Sequence, residues 1–173
     1  MILSPAFRRL ALIVHIGFSV GQLGAVAAFL VLAIIGLGAT DPQIMRAAYV
    51  SMDLIARLLI VPMVIMAPLS GIVLSLGTRW GLLQHWWIVA KLLISIIVAV
   101  VMLLQLKGIG FVADAAGIGQ GAFAAGPQLR TSFVLHASAG LLVLLIPMGL
   151  SIYKPAGLTR YGWRKRHNAA TLT

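Results

Sequence analysis

The sequence predicts an all-α, polytopic membrane protein: a four-helix transmembrane bundle with both termini cytoplasmic. Three observations predict it. Hydrophobic residues make up 61% of the 173 residues and charged residues only 9%, against roughly 25% charged in a soluble domain, and the mean hydropathy is +1.08. The apolar residues gather into four runs, each long enough to cross a hydrocarbon layer of roughly 30 Å at 1.5 Å per residue. The basic residues concentrate at one end of those runs. Composition also excludes whole classes of chemistry. With no Cys there is no disulfide framework, no thiolate-ligated zinc or iron–sulfur site and no covalently attached c-type haem. Three acidic residues, Asp41, Asp53 and Asp114, leave little for carboxylate-pair catalysis or carboxylate-rich metal sites.

The chain reads as a single transmembrane domain over 1–173. The first span runs from about Leu10 to Leu37, long enough to tilt or protrude. A signal peptide would be shorter and would end in a small-residue cleavage site, so this run is read as a span. Residues 38–53 hold Asp41-Pro42 and a short amphipathic piece. The second span runs from about Leu54 to Leu76 and contains Pro62 and Pro68, which free backbone carbonyls that neighbours or water must satisfy. The third runs from about Trp86 to Leu106. Residues 107–130 are Gly/Ala-rich and read as a loop with little regular structure. The fourth span runs from about Ser132 to Tyr153, and 154–173 reads as a basic polar tail.

Charge orients these spans. Arg8, Arg9, Arg79, Lys91, Lys154, Arg160, Arg164, Lys165 and Arg166 fall on one side; Arg46, Arg57, Lys107 and Arg130 fall on the other. The positive-inside rule then places both termini in the cytoplasm. Trp80, Trp86, Trp87, Tyr161 and Trp163 form an aromatic belt on that same side. The net charge of +10 is accounted for by this topology signal, with membrane lipid headgroups in reach of the tail, and no nucleic-acid partner is expected.

Ionisable and polar groups inside spans are costly and so become functional candidates. His15 stands about 7 Å inside span one at helical rise, with Ser19 and Gln22 at i+4 and i+7 on one stripe. Gly17, Gly21, Gly24 and Ala28 form a second stripe that permits close helix approach, within the bundle or to a second copy as a homodimer. His136 lies near the outer end of span four, with Gly140 one turn further in, where a missing side chain leaves room for a flat macrocycle. Asp53 and Arg57 at i,i+4 can neutralise each other, yet Arg57 and His136 share a depth and are expected to meet around an outer pocket with Gly140. His85 sits at the interface before Trp86-Trp87, and His167 is in the tail.

Histidines projecting into a four-helix bundle are a usual way to hold b-type haem. His15, His85 and His136 are therefore the candidate iron ligands, with Arg57 and Gly140 as further cofactor-binding residues and quinone as a second redox ligand. Met52, Met63, Met66, Met102 and Met148 offer thioethers of the kind that suit Cu(I), although Met is also an ordinary core filler. Three readings compete: a haem or quinone electron-transfer protein, a non-enzymatic accessory subunit whose polar groups lock the bundle, and a metal-handling or transport protein. Four spans and almost no acidic coupling residues weigh against transport.

The stretch Ser75-Leu-Gly-Thr-Arg-Trp-Gly-Leu-Leu-Gln-His-Trp-Trp-Ile-Val-Ala-Lys91 resembles a family of uncharacterised small bacterial integral membrane proteins, and these in turn the membrane unit of CopD-type copper-resistance proteins. The resemblance covers spans one to three and touches span four loosely. It implies a four-helix unit of the cytochrome b561-like kind in a bacterial inner membrane. The extracellular copper-site residues of CopD proteins have no counterpart here, so copper resistance is not implied.

Overall fold

The computed structural model describes residues 3–78, 81–117 and 126–170. Arg79 and Trp80 of the aromatic belt, residues 118–125 and the side chain of Arg166 lie outside the described residues. The described chain is almost entirely helical, and four helices are long and apolar enough to cross a membrane.

Helix α1 (Pro5–Gly38) starts where Ser4 accepts the Phe7 N–H and Pro5 supplies a preset φ at the first position. It stops at Ala39, whose extended backbone still donates to the Ile35 carbonyl. Asp41 then caps the next helix through Gln43 N–H, with Pro42 behind it. The amphipathic piece expected to stand apart from span two is instead its first half. Helix α2 (Pro42–Ile55), a π-helical turn (Ala56–Ile60) and helix α3 (Val61–Leu76) run without a break. Pro62 explains the π-turn. It has no N–H for the carbonyl of Leu58, and its ring would strike that carbonyl in a plain α-helix. The Val61 N–H reaches back to Ala56, five residues away, and the helix continues. Through the turn the buried positions step by four, at Met52, Ala56, Ile60 and Val64, where an α-helix would alternate threes and fours.

Helix α4 (Trp86–Gly117) continues through 107–117, where the sequence predicted the start of a loop over 107–130; 118–125, the middle of that loop, lie outside the described residues. Its Gly/Ala content resembles a linker, but Ile109, Val112, Ala113 and Ala116 keep helical spacing and are buried. Helix α5 (Gly126–Tyr153) likewise begins before Ser132. The tail also contains structure: helix α6 (Arg160–Ala170), which starts where the Thr159 hydroxyl accepts the Gly162 N–H.

The spans pack in a ring in chain order. Helix α1 lies against span two and α5, and α4 lies against the same two. The core joins Val26, Phe29 and Ala33 of α1 to Tyr49, Met52, Ala56 and Val64 of span two, Ile109 and Val112 of α4, and Phe133 of α5. Outward faces are apolar as well, with Ile13, Leu104 and Leu142 each more than two-thirds exposed. Both terminal segments are tied to the turn between spans two and three. Leu3 donates to the Gly77 carbonyl, Leu158 pairs antiparallel with His85, and Thr159 N–H donates to Gln84. Gly162 has no side chain to keep α6 off the Gln84 backbone, which occupies the space a Cβ would need.

Candidate functional site

The inward stripe of α1 follows a seven-residue step through His15, Gln22, Phe29 and Gly36; the last three are buried and His15 half-buried. His15 is the one ionisable member, and span two receives it. Its Nδ1 lies 3.0 Å from the Ala67 carbonyl and 3.0 Å from the Ser70 hydroxyl, which itself donates to Ala67. A carbonyl can only accept, so Nδ1 carries a proton, and in the neutral ring Nε2 is then the acceptor. The ring lies over Gly71, where a Cβ would stand 3.1 Å from Cε1. Ser19, expected on the same stripe, turns outward and bonds the His15 carbonyl of its own helix.

The other two spans complete this layer. Lys91 of α4 donates to the Ser151 hydroxyl of α5 at 2.7 Å, and its ammonium lies 5.5 Å from the Trp87 ring centre. The Lys91 ammonium lies within electrostatic reach of the His15 ring. All three acidic residues belong to the half of the molecule away from the termini, so the layer holds the Lys91 cation with no carboxylate, the Ser70 and Ser151 hydroxyl protons being given to the Ala67 and Pro147 carbonyls. Such an arrangement suits a ligand that presents oxygen atoms, as an anion or a carbonyl.

The remaining candidates are dispersed. His85 precedes Lys91 by six residues and is buried in the turn beside Leu158, with its ring 6.2 Å from that of Trp87. Lys91, not His85, shares the level of His15. His136 is exposed, and its Nδ1 bonds the Ser132 carbonyl one turn back at 2.6 Å. Arg57 gives its Nε to both oxygens of Asp53 at 2.8 and 2.9 Å and rests on Gly110 of α4. No hydrogen bond joins Arg57 to His136, each being turned to its own helix. Gly140 lies against Val26 of α1, 4.0 Å from the position of a Cβ. Among the described residues no three or more of His, Asp and Glu gather as a metal site. Met52 is fully buried, Met63 leans on Gly21, and Met66 and Met148 face outward.

No family model, curated protein or solved structure matches this chain.

Tying one imidazole nitrogen to a backbone carbonyl is how proteins commonly orient the other toward a metal. His15, through Nε2, is thus the residue that could hold a haem iron here. A second imidazole does not face it among the described residues, since His85 sits in the turn and His136 points outward, so a bis-histidine haem does not fit. A quinone head group, held through one oxygen by Lys91, would make no such demand.

Sequence reasoning named His15 and placed Lys91 at the correct end, but missed Ser70 and Ser151. The available signal was small hydroxyl residues near the same ends of apolar runs, Ser70 at nearly the distance from its span end that His15 and Lys91 share and Ser151 closer to its own. It also missed a second buried polar centre, formed by Arg130, Tyr49 and Gly36 at the far end.

Proposed function

We propose that this chain is a multi-pass protein of a bacterial cytoplasmic membrane, with both termini cytoplasmic, that handles electrons through a quinone bound at the His15–Lys91 layer. The observation that carries this reading is the tie between His15 Nδ1 and Ala67 of another span, which leaves Nε2 as a proton acceptor beside the Lys91 ammonium. A quinone supplies paired electron and proton exchange when bound. With a quinol bound there, His15 Nε2 would be placed to take a hydroxyl proton and Lys91 to hold that oxygen as an anion. Ser70 keeps the imidazole turned so that Nε2 is presented. The apolar outer surface supports membrane insertion, and the nine-to-four division of basic residues supports the orientation. Self-association through the stripe of Gly17 and Gly24, which meet nothing in their own chain while Gly21 packs on Met63, belongs to the same proposal.

The test is the protein purified from membranes in mild detergent, with its organic extract assayed for quinone and its spectrum recorded oxidised and dithionite-reduced. Quinone lost on His15→Ala and retained on His136→Ala supports the reading. A reduced b-type band that follows His15 in the same way replaces quinone with singly ligated haem.

A second reading is a non-enzymatic accessory subunit. It is favoured by the mutual satisfaction of the layer, His15 with Ser70 and Lys91 with Ser151. Colourless, quinone-free protein that loses only stability on His15→Ala selects it.

A further inference from the structure

We infer that the groove between α6 and the start of α4 is a binding site for one anionic phospholipid, held by Arg160 at its phosphate and by Trp86, Leu83 and Val89 along its acyl chain. The inference needs only that the chain stands in a membrane and is independent of any redox role. The groove has a volume of about 550 Å³ and is lined by Leu83, Trp86, Val89, Thr159, Arg160 and Tyr161. That volume falls within the roughly 300–1,000 Å³ of ligand pockets, enough for a head group and the upper part of a chain.

Its chemistry is divided. Leu83, Trp86 and Val89 give it an apolar wall, and Leu83 and Trp86 are more than half exposed. Arg160 at its rim makes no hydrogen bond or ion pair among the described residues. Thr159 has already committed its hydroxyl, donating to the Leu83 carbonyl and accepting from Gly162. The one charged group of the groove is therefore a cation, with the Tyr161 hydroxyl as a neutral donor beside it, and an anion with an attached apolar chain satisfies both walls at once. Position agrees. Trp86 begins the apolar run of α4, Tyr161 is exposed beside it, and Trp and Tyr favour the head-group level of a bilayer. The groove is also a built feature, because Thr159, Gln84 and the close approach of Gly162 hold α6 against the turn.

The experiment places a variant retaining only Trp86 (Trp80, Trp87 and Trp163→Phe) in vesicles of brominated phosphatidylcholine or brominated phosphatidylglycerol and reads quenching of Trp86. Phosphatidylglycerol should be preferred by about five-fold, the ratio that roughly 1 kcal/mol per basic residue near an anionic surface implies. Arg160→Gln should reduce the preference to near unity, while Arg164→Gln, on the same helix but outside the groove, should leave most of it. Excess inorganic phosphate should not relieve the quenching. Equal quenching by both lipids overturns the site. Equal losses from Arg160→Gln and Arg164→Gln also overturn it, because the attraction would then be that of a diffuse basic surface, and relief by phosphate would make the ligand a free anion. If the single-tryptophan variant does not fold, native mass spectrometry of the otherwise unaltered protein counts retained phosphatidylglycerol with and without Arg160→Gln; equal retention overturns the proposal.

Discussion

Arg130 of α5 donates from Nε to the hydroxyl of Tyr49 at 2.9 Å, across 81 positions of sequence. Its Nη2 bonds the carbonyls of Gly36 and Leu37 at 3.1 and 3.2 Å, so a buried guanidinium closes the C-terminal end of α1. The last carbonyls of a helix lack partners and carry partial negative charge, which a cation offsets. Gly36 makes the arrangement possible, since a Cβ there would stand 2.9 Å from the Tyr49 ring.

Replacing Arg130 with Met keeps most of the volume but strands the α1 carbonyls and the Tyr49 hydroxyl. A loss of about 3 kcal/mol is expected, read from unfolding in mixed micelles. Tyr49→Phe removes one hydrogen bond and should cost about 1 kcal/mol. Equal stabilities for wild type and Arg130→Met would show that water serves these groups as well.

Gly71 is the floor beneath His15. Gly71→Val puts carbon where the imidazole lies and should cost about 1–3 kcal/mol through overpacking. It should also remove whatever ligand depends on His15. Stability loss with ligand content unchanged would separate the layer from the binding site.

Gly21 and Gly17 test self-association from two sides. A Cβ at Gly21 would stand 3.0 Å from Met63 Cε inside the same chain, whereas Gly17 and Gly24 meet nothing within 4 Å. Gly21→Leu should destabilise the monomer by about 1–3 kcal/mol. Gly17→Leu should leave it unchanged, so a lower mass in detergent for Gly17→Leu would mark this stripe as the contact with a second copy.

Gly110 supports the Asp53–Arg57 pair, with Arg57 Nη2 2.6 Å from the position of a Cβ. Gly110→Ala should turn the half-exposed guanidinium aside at a cost of about 1 kcal/mol or less, because such pairs contribute little. Double-mutant analysis with Arg57→Gln measures the coupling.

For topology, a reporter joined after Thr173 should read as cytoplasmic, and one inserted within 118–125 should read as facing the opposite side. The reverse pattern would overturn the orientation.

The four long helices were legible because each apolar run is longer than a span requires and is bounded by charge or by Asp-Pro. Their ends were harder. Gly108, Gly110, Ala113 and Ala116 look like linker composition, yet in α4 small residues serve close packing: Gly110 admits the Arg57 guanidinium, and Ala113 and Ala116 are buried. His15 was legible as an imidazole placed in an apolar run. The Arg130 centre was not, because α1, α2 and α5 meet there through contacts 81 to 94 positions apart, and periodicity within one helix carries no information about them.

The π-turn after Ile55 has a consequence for chain length. It accommodates one residue more than a plain α-helix would hold between Met52 and Val64. Deleting a single residue among 56–60, with Pro62→Ala to remove the clash of its ring, lets the turn close to a plain α-helix and leaves Ala67, Ser70 and Gly71 facing His15. Deleting one just past the turn, among 63–66, instead moves everything beyond it by about 100° around the axis and 1.5 Å along it. Those three residues then rotate away from His15 together, although none of them has been altered, so the count of residues beyond the turn is as much a determinant of the His15 layer as the residues that form it.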